Sequence, residues 1–352
     1  MKKTLAALIV SAVAASAANA AVVYDNEGTK VELNGSLRLI MEKADKKVYN
    51  AANHSTKKAN SALRNAGSRF GVKVKHNLDN DFYALGNLEL RFDDTTSRDK
   101  FGGAYAKRAY VGLGSQSVGE IKFGRQLTIA DDLSQANDYE YGFIPKGDYI
   151  PTSGTGVVRY DYKGIEGLQL SANYNFGQKN DEKGKALDPA IKNAFALGAL
   201  YTAGDLDARF AYGHTSFETD ASYKHRLDGF LASLGYKFGD FTLTGDFGYA
   251  HEKENDAKTN KFYVSPGFAY QVTPASQVYG NYLYERVKGE TTKDKTHGFL
   301  LGADYKLHKQ VVVFLEGKYV TTKNYAENAN GGYAYDGKTK DRAIGVGMRV
   351  YF

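Results

Sequence analysis

The chain has 352 residues, no cysteine and a formal charge of +6 spread along its length, which excludes a disulfide framework, thiol chemistry and a clustered nucleic-acid footprint. Its mean hydropathy is −0.47, and beyond the N-terminal region no apolar run reaches the roughly 18 residues that a spanning helix needs. Composition favours a sheet instead, with 38 glycines, 27 tyrosines and 19 phenylalanines against 5 prolines. A soluble β-sandwich is the competing class, and 352 residues with neither cysteine nor tryptophan fit it poorly.

Lys2 and Lys3 precede an apolar run from Leu5 to Ala15, and Ala18-Asn19-Ala20 places small residues before Ala21. This is the pattern of a secretory signal peptide, too short to span a membrane as a helix. We expect residues 1–20 to be cleaved, which removes two lysines and no acid, and leaves a charge of +4 and one domain over 21–352.

From Thr29 the hydropathy alternates with period two. Val31, Leu33, Leu37, Leu39 and Met41 fall on one face of a strand, and Glu32, Asn34, Ser36, Arg38 and Glu42 fall on the other. Leu168, Leu170, Ala172, Tyr174 and Phe176 oppose Gln169, Ser171, Asn173 and Asn175 in the same way, as Phe241, Leu243, Phe247 and Tyr249 oppose Thr242, Thr244 and Asp246. These apolar faces carry no charge, as lipid requires, since Lys or Arg facing the mid-bilayer costs about 2–4 kcal/mol.

Such segments fall near 29–44, 63–78, 82–94, 103–115, 118–126, 155–163, 167–178 and 193–203, then 206–218, 226–238, 241–252, 260–272, 275–287, 296–307, 310–322 and 341–352. The expected fold class is therefore all-β: a 16-stranded antiparallel transmembrane β-barrel, wide enough for an aqueous lumen. Short turns (Asp79-Asn80-Asp81, Gly204-Asp205, Gly239-Asp240, Thr273-Pro274) alternate with long polar loops at about 45–62, 127–154, 179–192 and 323–340. Pro266 sits inside a strand and lacks a ladder donor, so Pro266-Gly267 is read as a bulge. Alternation also turns Arg38, Arg69, Arg108 and Arg159 inward near mid-strand, Arg91 inward and higher, and Lys73 and Lys75 inward on the second strand.

The last strand places Ile344, Val346, Met348, Val350 and Phe352 on one face and ends on that phenylalanine, which resembles the closing strand of bacterial outer-membrane barrels. With Ala21-Val22-Val23-Tyr24-Asp25, Val31-Glu32-Leu33-Asn34-Gly35, Gly119-Glu120-Ile121-Lys122-Phe123-Gly124-Arg125 and Val158-Arg159-Tyr160-Asp161, the whole mature chain resembles the Gram-negative general-diffusion porins, most closely the major outer-membrane porins of Haemophilus and Pasteurella. The resemblance implies a homotrimer of barrels set among outer-membrane lipids and lipopolysaccharide, with a third outer loop folded inward in each. It also implies loop acids facing a ladder of wall arginines: Arg38, Arg69, Arg108, Arg159 and Arg91 on the wall. Asp132 and Asp138 match two family loop acids counted from Arg125. The family's Pro-Glu-Phe-Gly-Gly segment is replaced by a loose echo at Tyr141-Gly142-Phe143, and Glu140 stands in for the last acid.

The expected function is passive, size-limited diffusion of small hydrophilic solutes and ions, with no cofactor and no catalysis. Seven histidines show no metal spacing. His214 near Ser216 and Glu218 is the only local cluster suited to catalysis, and alternation makes chance grouping the better account. A substrate-specific channel is the nearest alternative, for which inward Tyr83, Tyr110, Tyr263 and Tyr279 would need to form a track. A secondary adhesion role for the outer loops at about 45–62 and 323–340 is the other.

Overall fold

Alternation becomes two-faced strands in the computed structural model, which describes residues 20–50, 54–58, 61–93, 101–219 and 223–352. Along β2 (Thr29–Asn50), Leu37 and Met41 stand 62% and 61% exposed while Ser36, Arg38 and Ile40, which alternate with them, are buried. The same holds around the sheet: Val111, Leu197, Leu234, Leu301 and Val346 are exposed, and Asn87, Glu89, Asn173, Asp246 and Glu316 are buried. This inversion of the soluble pattern makes the outer surface fit for hydrocarbon.

In chain order the strands are β1 (Ala21–Asn26), β2, β3 (His54–Lys58), β4 (Ala62–Asn65), β5 (Arg69–Asn77), β6 (Phe82–Asp93), β7 (Gly103–Ser115), β8 (Gly119–Leu127), β9 (Ser153–Ile165) and β10 (Leu168–Asn175). There follow β11 (Gln178–Asn180), β12 (Ala186–Ala203), β13 (Leu206–Phe217), β14 (His225–Phe238), β15 (Phe241–Glu254), β16 (Ala257–Thr273), β17 (Ser276–Lys288), β18 (Thr292–His308), β19 (Val311–Glu327) and β20 (Tyr333–Tyr351). Successive wall strands pair antiparallel, and β20 pairs with both β19 and β2, which closes the cylinder. With β3, β4 and β5 counted as one wall strand beside β2, β11 as an extension of β10, and β1 left aside, the wall has the sixteen strands expected.

At the closure, the Gly35 amide donates to the Phe352 carbonyl at 2.8 Å and the Phe352 amide returns a bond to Gly35 at 3.1 Å. A Cβ on Gly35 would lie 2.6 Å from the Phe352 ring and 2.7 Å from the Arg69 carbonyl oxygen, so only glycine lets the terminal aromatic lie across the join. The short strand β1 has no counterpart among the sixteen segments. It folds back on β2 through Glu27 and Gly28, whose φ angles are 50° and 75°, and occupies the edge of β2 below the end of β20.

Three of the four long loops expected from the sequence are largely strand. β2 runs on to Asn50, β12 begins at Ala186, and β19 and β20 are joined by residues 328–332 alone. Above the apolar band both faces of a hairpin are wet, so hydrophobic alternation stops while backbone pairing continues. Lysines stack on tyrosines there, with Lys338 5.2 Å from the Tyr49 ring centre and Lys293 4.9 Å from that of Tyr325. Residues 128–152 are the longest connection without strand among the described residues, and contain only 3-10 turns at Ile129–Asp132 and Lys146–Asp148.

Two further differences concern register. Pro266 makes no bulge: Gly245 faces Pro266 in an unbroken β15–β16 ladder, and Val264 and Gly267 keep one register against β17. The missing donor is absorbed by leaving Ser265 and Pro266 out of the β17 pairing. The expected strand 63–78 is instead broken at residues 66–68, where Gly67 takes a φ of 79° and the Ser68 amide donates to Asn65 Oδ1 at 2.9 Å. Leu39 pairs with Asn65 and Ser36 with Arg69, a one-residue shift that reverses which residues point inward. The expected signal peptide lies outside the described residues apart from Ala20.

Candidate functional site

Residues 128–152 leave β8 and are cinched at their base, where the Thr128 amide and hydroxyl donate to the Thr152 and Pro151 carbonyls at 3.0 and 2.6 Å. From there the segment bonds in turn to side chains on the face of the wall opposite the exposed apolar one. The Ile129 amide donates to Asn173 Oδ1 on β10, Arg209 on β13 donates to the Asp132 carbonyl, and the Ser134 hydroxyl donates to Asp246 on β15 at 2.6 Å. Asn281 on β17 then donates to the Asn137 carbonyl at 2.7 Å, and the Tyr141 hydroxyl reaches Glu42 on β2 at 2.8 Å.

Apolar packing holds the same path. Ile129, Leu133, Tyr149 and Ile150 are buried against Ala196, Ala211, Leu231, Ala250, Tyr263 and Leu283, each full burial of a large side chain contributing about 1.5–3 kcal/mol. The wall is thinned to admit them: a Cβ on Gly213 would meet Ile150 at 2.5 Å.

The firmest anchor is Glu316 of β19, which has no exposed surface. Its carboxylate accepts the amides of Tyr139, Glu140 and Tyr141 at 2.7, 2.8 and 2.5 Å and the Tyr279 hydroxyl at 2.8 Å. A buried carboxylate with donors on both oxygens is stable only while those donors stay in place.

Beside this anchor lies a basic wall. Arg349 on β20, Arg38 on β2, Arg69 on β5, Arg91 on β6 and Arg108 on β7 occupy consecutive wall strands. Arg38 faces Arg349 directly across the ladder, and Arg69 faces Arg91. Directly opposed like charges are destabilising. Glu89 offsets part of this, 2.9 Å from Arg91 and 3.8 Å from Arg108. Arg38 and Arg69 have no ion-pair partner among the described residues, and Arg38 instead donates through Nε to the Ser36 hydroxyl at 2.7 Å.

Arg38, Arg69, Arg91 and Arg349 line one concavity together with Arg64, Tyr139 and Glu140. Arg64 there bridges Glu42 and Glu140 at 2.7 and 2.6 Å. The Arg349 guanidinium lies over the Tyr139 ring, 4.7 Å from its centre, and donates to the Tyr139 carbonyl.

The remaining residues singled out by sequence go elsewhere. Arg159 is not part of the cluster; it is neutralised by Asp132 at 2.7 Å and Asp161 at 2.9 Å, so Asp132 ties the loop to the wall. Glu140 is likewise taken up by Arg64. Asp138 is exposed, its carboxylate close to Gly142. Lys75 sits over the Tyr83 ring at 3.8 Å. The four inward tyrosines form no track: Tyr263 packs edge-on to Tyr149, Tyr279 holds Glu316, Tyr83 donates to Glu120, and Tyr110 accepts from Asn87.

Sequence reasoning missed Arg64, Arg349 and Glu316. Arg349 and Glu316 carried the inward alternation but not a motif. Arg64 was hidden by the break at 66–68, because unbroken alternation with Arg69 inward turns residue 64 outward. Lys107, whose ammonium bonds Glu182, was hidden by the same kind of slip, a bulge that leaves it unpaired between Ala106 and Arg108.

A closed sixteen-strand cylinder, apolar outside and lined with charge inside, defines a membrane channel of the β-barrel class. The chain belongs to the Gram-negative porin family, whose model matches residues 4–325, and its place is the bacterial outer membrane. It is 32% identical over 374 residues to the major outer membrane protein of Pasteurella multocida, covering 100% of both chains. Among solved structures it is similar to the trimer form of OmpT, an outer membrane protein of Vibrio cholerae, at TM-score 0.69 and 20% identity over 92% of this chain and 100% of that one. The anion-selective porin from Comamonas acidovorans shares the fold at TM-score 0.63 and 17% identity, over 92% and 100%.

Proposed function

We propose that the segment 128–152 narrows the lumen and that the channel's constriction lies between its Tyr139–Tyr141 stretch and the wall arginines. The observation that carries this is the row Arg349, Arg38, Arg69, Arg91 and Arg108 on consecutive strands, the first four of which share one concavity with Tyr139 and Glu140. Two unpaired guanidinium groups held against like-charged neighbours are costly to the fold, which supports a role in conduction.

The mechanism is passive. Two unit charges about 10 Å apart in water interact by only ~0.4 kcal/mol, too little to trap a solute and enough, summed over a row, to orient dipoles and draw anions to that side. Small hydrophilic solutes and ions pass by size, and nothing in conduction calls for a catalytic step. We further propose a homotrimer, in line with the trimeric form of the similar OmpT, set among outer-membrane lipids and lipopolysaccharide, and cleavage of residues 1–20 before assembly.

Planar-bilayer recording of the purified, refolded protein tests the reading. Large ohmic steps in groups of three, non-saturating with salt, are expected. Saturable block by one solute at low concentration would overturn the general-diffusion reading in favour of a specific channel, and absence of conductance would overturn both.

A further inference from the structure

His214 and Ser216 on β13 are two residues apart and share the outward face, while Thr215 between them is buried inside. Asp228 on β14 stands directly opposite His214. His214 Nδ1 lies 2.7 Å from Asp228 Oδ1, and Nε2 lies 3.2 Å from Ser216 Oγ. Sequence proximity suggested Glu218 as the acid, but its amide bonds Ala190 beyond the strand end, and the sheet supplies Asp228 instead.

The neighbours complete two rows. Ser216 is flanked in register by Asn193 of β12 and Arg226 of β14, a neutral amide donor and a cationic donor on either side of the hydroxyl. His214 is flanked by Asp228 and by Phe195, whose ring stacks on the imidazole at 5.6 Å and 30°. The Tyr212 hydroxyl donates to Asp228 at 2.9 Å, fixing the carboxylate further.

The cluster lies just beyond exposed Leu197, Phe210, Tyr212 and Phe230. That is the outer end of the apolar band, where aromatic girdles mark the boundary between acyl chains and headgroups. Side chains of His214 and Asp228 are 24% and 30% exposed, open to a molecule lying against the wall.

We propose that Ser216, His214 and Asp228 form a nucleophile, base and orienting acid that hydrolyse the carboxylic ester of an acyl lipid in the adjoining leaflet. Asp228 accepts from Nδ1–H and so leaves Nε2 free to take the Ser216 proton. Ser216 Oγ bonds to the ester carbonyl carbon, and Asn193 stands in register to receive the oxyanion, joined by Arg226 once it turns from Asp228 Oδ2, which lies 3.9 Å from its Nε. The C–O bond to the alcohol then breaks, with His214 returning its proton to the departing alkoxide. Water, deprotonated by His214, attacks the acyl-serine, releasing the fatty acid and restoring Ser216. Asn193 and Arg226 are assigned by register, Asp228 as a positioning residue.

The test uses the refolded full-length barrel in detergent and in diacyl phospholipid vesicles. A long-chain alkyl fluorophosphonate is expected to add to Ser216, mapped by peptide mass, and the vesicles to release fatty acid. Ser216→Ala and His214→Ala should abolish both while conductance is unchanged, which shows that the barrel is folded. Asp228→Asn should lower hydrolysis by about 10²-fold or more and move the acid limb of its pH profile to lower pH, an effect that a purely structural acid would not produce. A wild-type barrel that conducts normally yet neither labels nor releases fatty acid overturns the proposal, as does labelling that is indifferent to His214. In either case the three side chains are a polar rim ladder.

Discussion

Arg38 and Arg349 stand opposite one another across the join between β2 and β20, so the first and last wall strands close the cylinder with a like-charge pair. Arg38 lies 5.8 Å from the Tyr351 ring centre and Arg349 4.7 Å from that of Tyr139, aromatic faces that soften the repulsion without neutralising it. Arg38→Ala is therefore expected to move reversal potentials in a salt gradient toward cations and to leave thermal unfolding unchanged or raised by up to about 1 kcal/mol of stability. A shift toward anions would sink the proposed role of this wall.

Arg159 offers the matched comparison. Its charge is already balanced by Asp132 and Asp161, so its field in the lumen is small. Arg159→Ala should shift selectivity less than Arg38→Ala in the same bilayer experiment, while loosening the base of the loop by freeing Asp132. Equal or larger shifts from Arg159→Ala would show that pairing does not mask lumen charge here.

Glu316→Ala removes the acceptor of three loop amides and of the Tyr279 hydroxyl. Bonds to a charged acceptor are worth about 1.5–3 kcal/mol each, partly recovered by water. The loop is expected to undock: single-channel conductance should rise, open-channel noise should increase, and residues 128–152 should become a protease site. Glu316→Gln, which keeps one acceptor oxygen, should fall between. Unchanged conductance and protease resistance in Glu316→Ala would place the loop's hold elsewhere.

Gly35→Val places a branched side chain where even a Cβ meets the Phe352 ring at 2.6 Å and backbone at 2.7 Å. Overpacking of this kind costs about 1–3 kcal/mol, and here it falls on the two backbone bonds that end the sheet. Refolding yield, read as the heat-modifiable band on gels, should drop. Phe352→Ala in the same chain should restore part of it by clearing the ring, and the absence of rescue would locate the damage at Arg69 instead.

Much of the fold was legible because lipid contact enforces period-two alternation wherever a strand crosses the apolar band. Leu37, Leu39 and Met41 against Ser36 and Arg38 could be read without structure. Legibility failed where that constraint lapses. The outer hairpins lost their signal above the band, and β1 is short with every residue exposed. The site was half readable: Arg38, Arg69, Arg91 and Arg108 follow from alternation, while Arg64 lies behind a register slip that no local pattern announces. The partners of Asp132 and Glu140 are separated from them in sequence by 27 and 76 positions respectively. Such pairings arise when the segment 128–152 packs onto the wall, not from neighbouring residues.

The interruption at residues 66–68 sets a rule for length variation in this wall. Because it offsets the register by one, it keeps both Arg64 and Arg69 turned to water. Deleting one residue there would rotate one of the two onto the outer surface, at up to about 2–4 kcal/mol if it met the bilayer centre. Insertions and deletions at this point should therefore be tolerated in pairs and resisted singly, so that chain length, not residue identity, guards the charge of the pore.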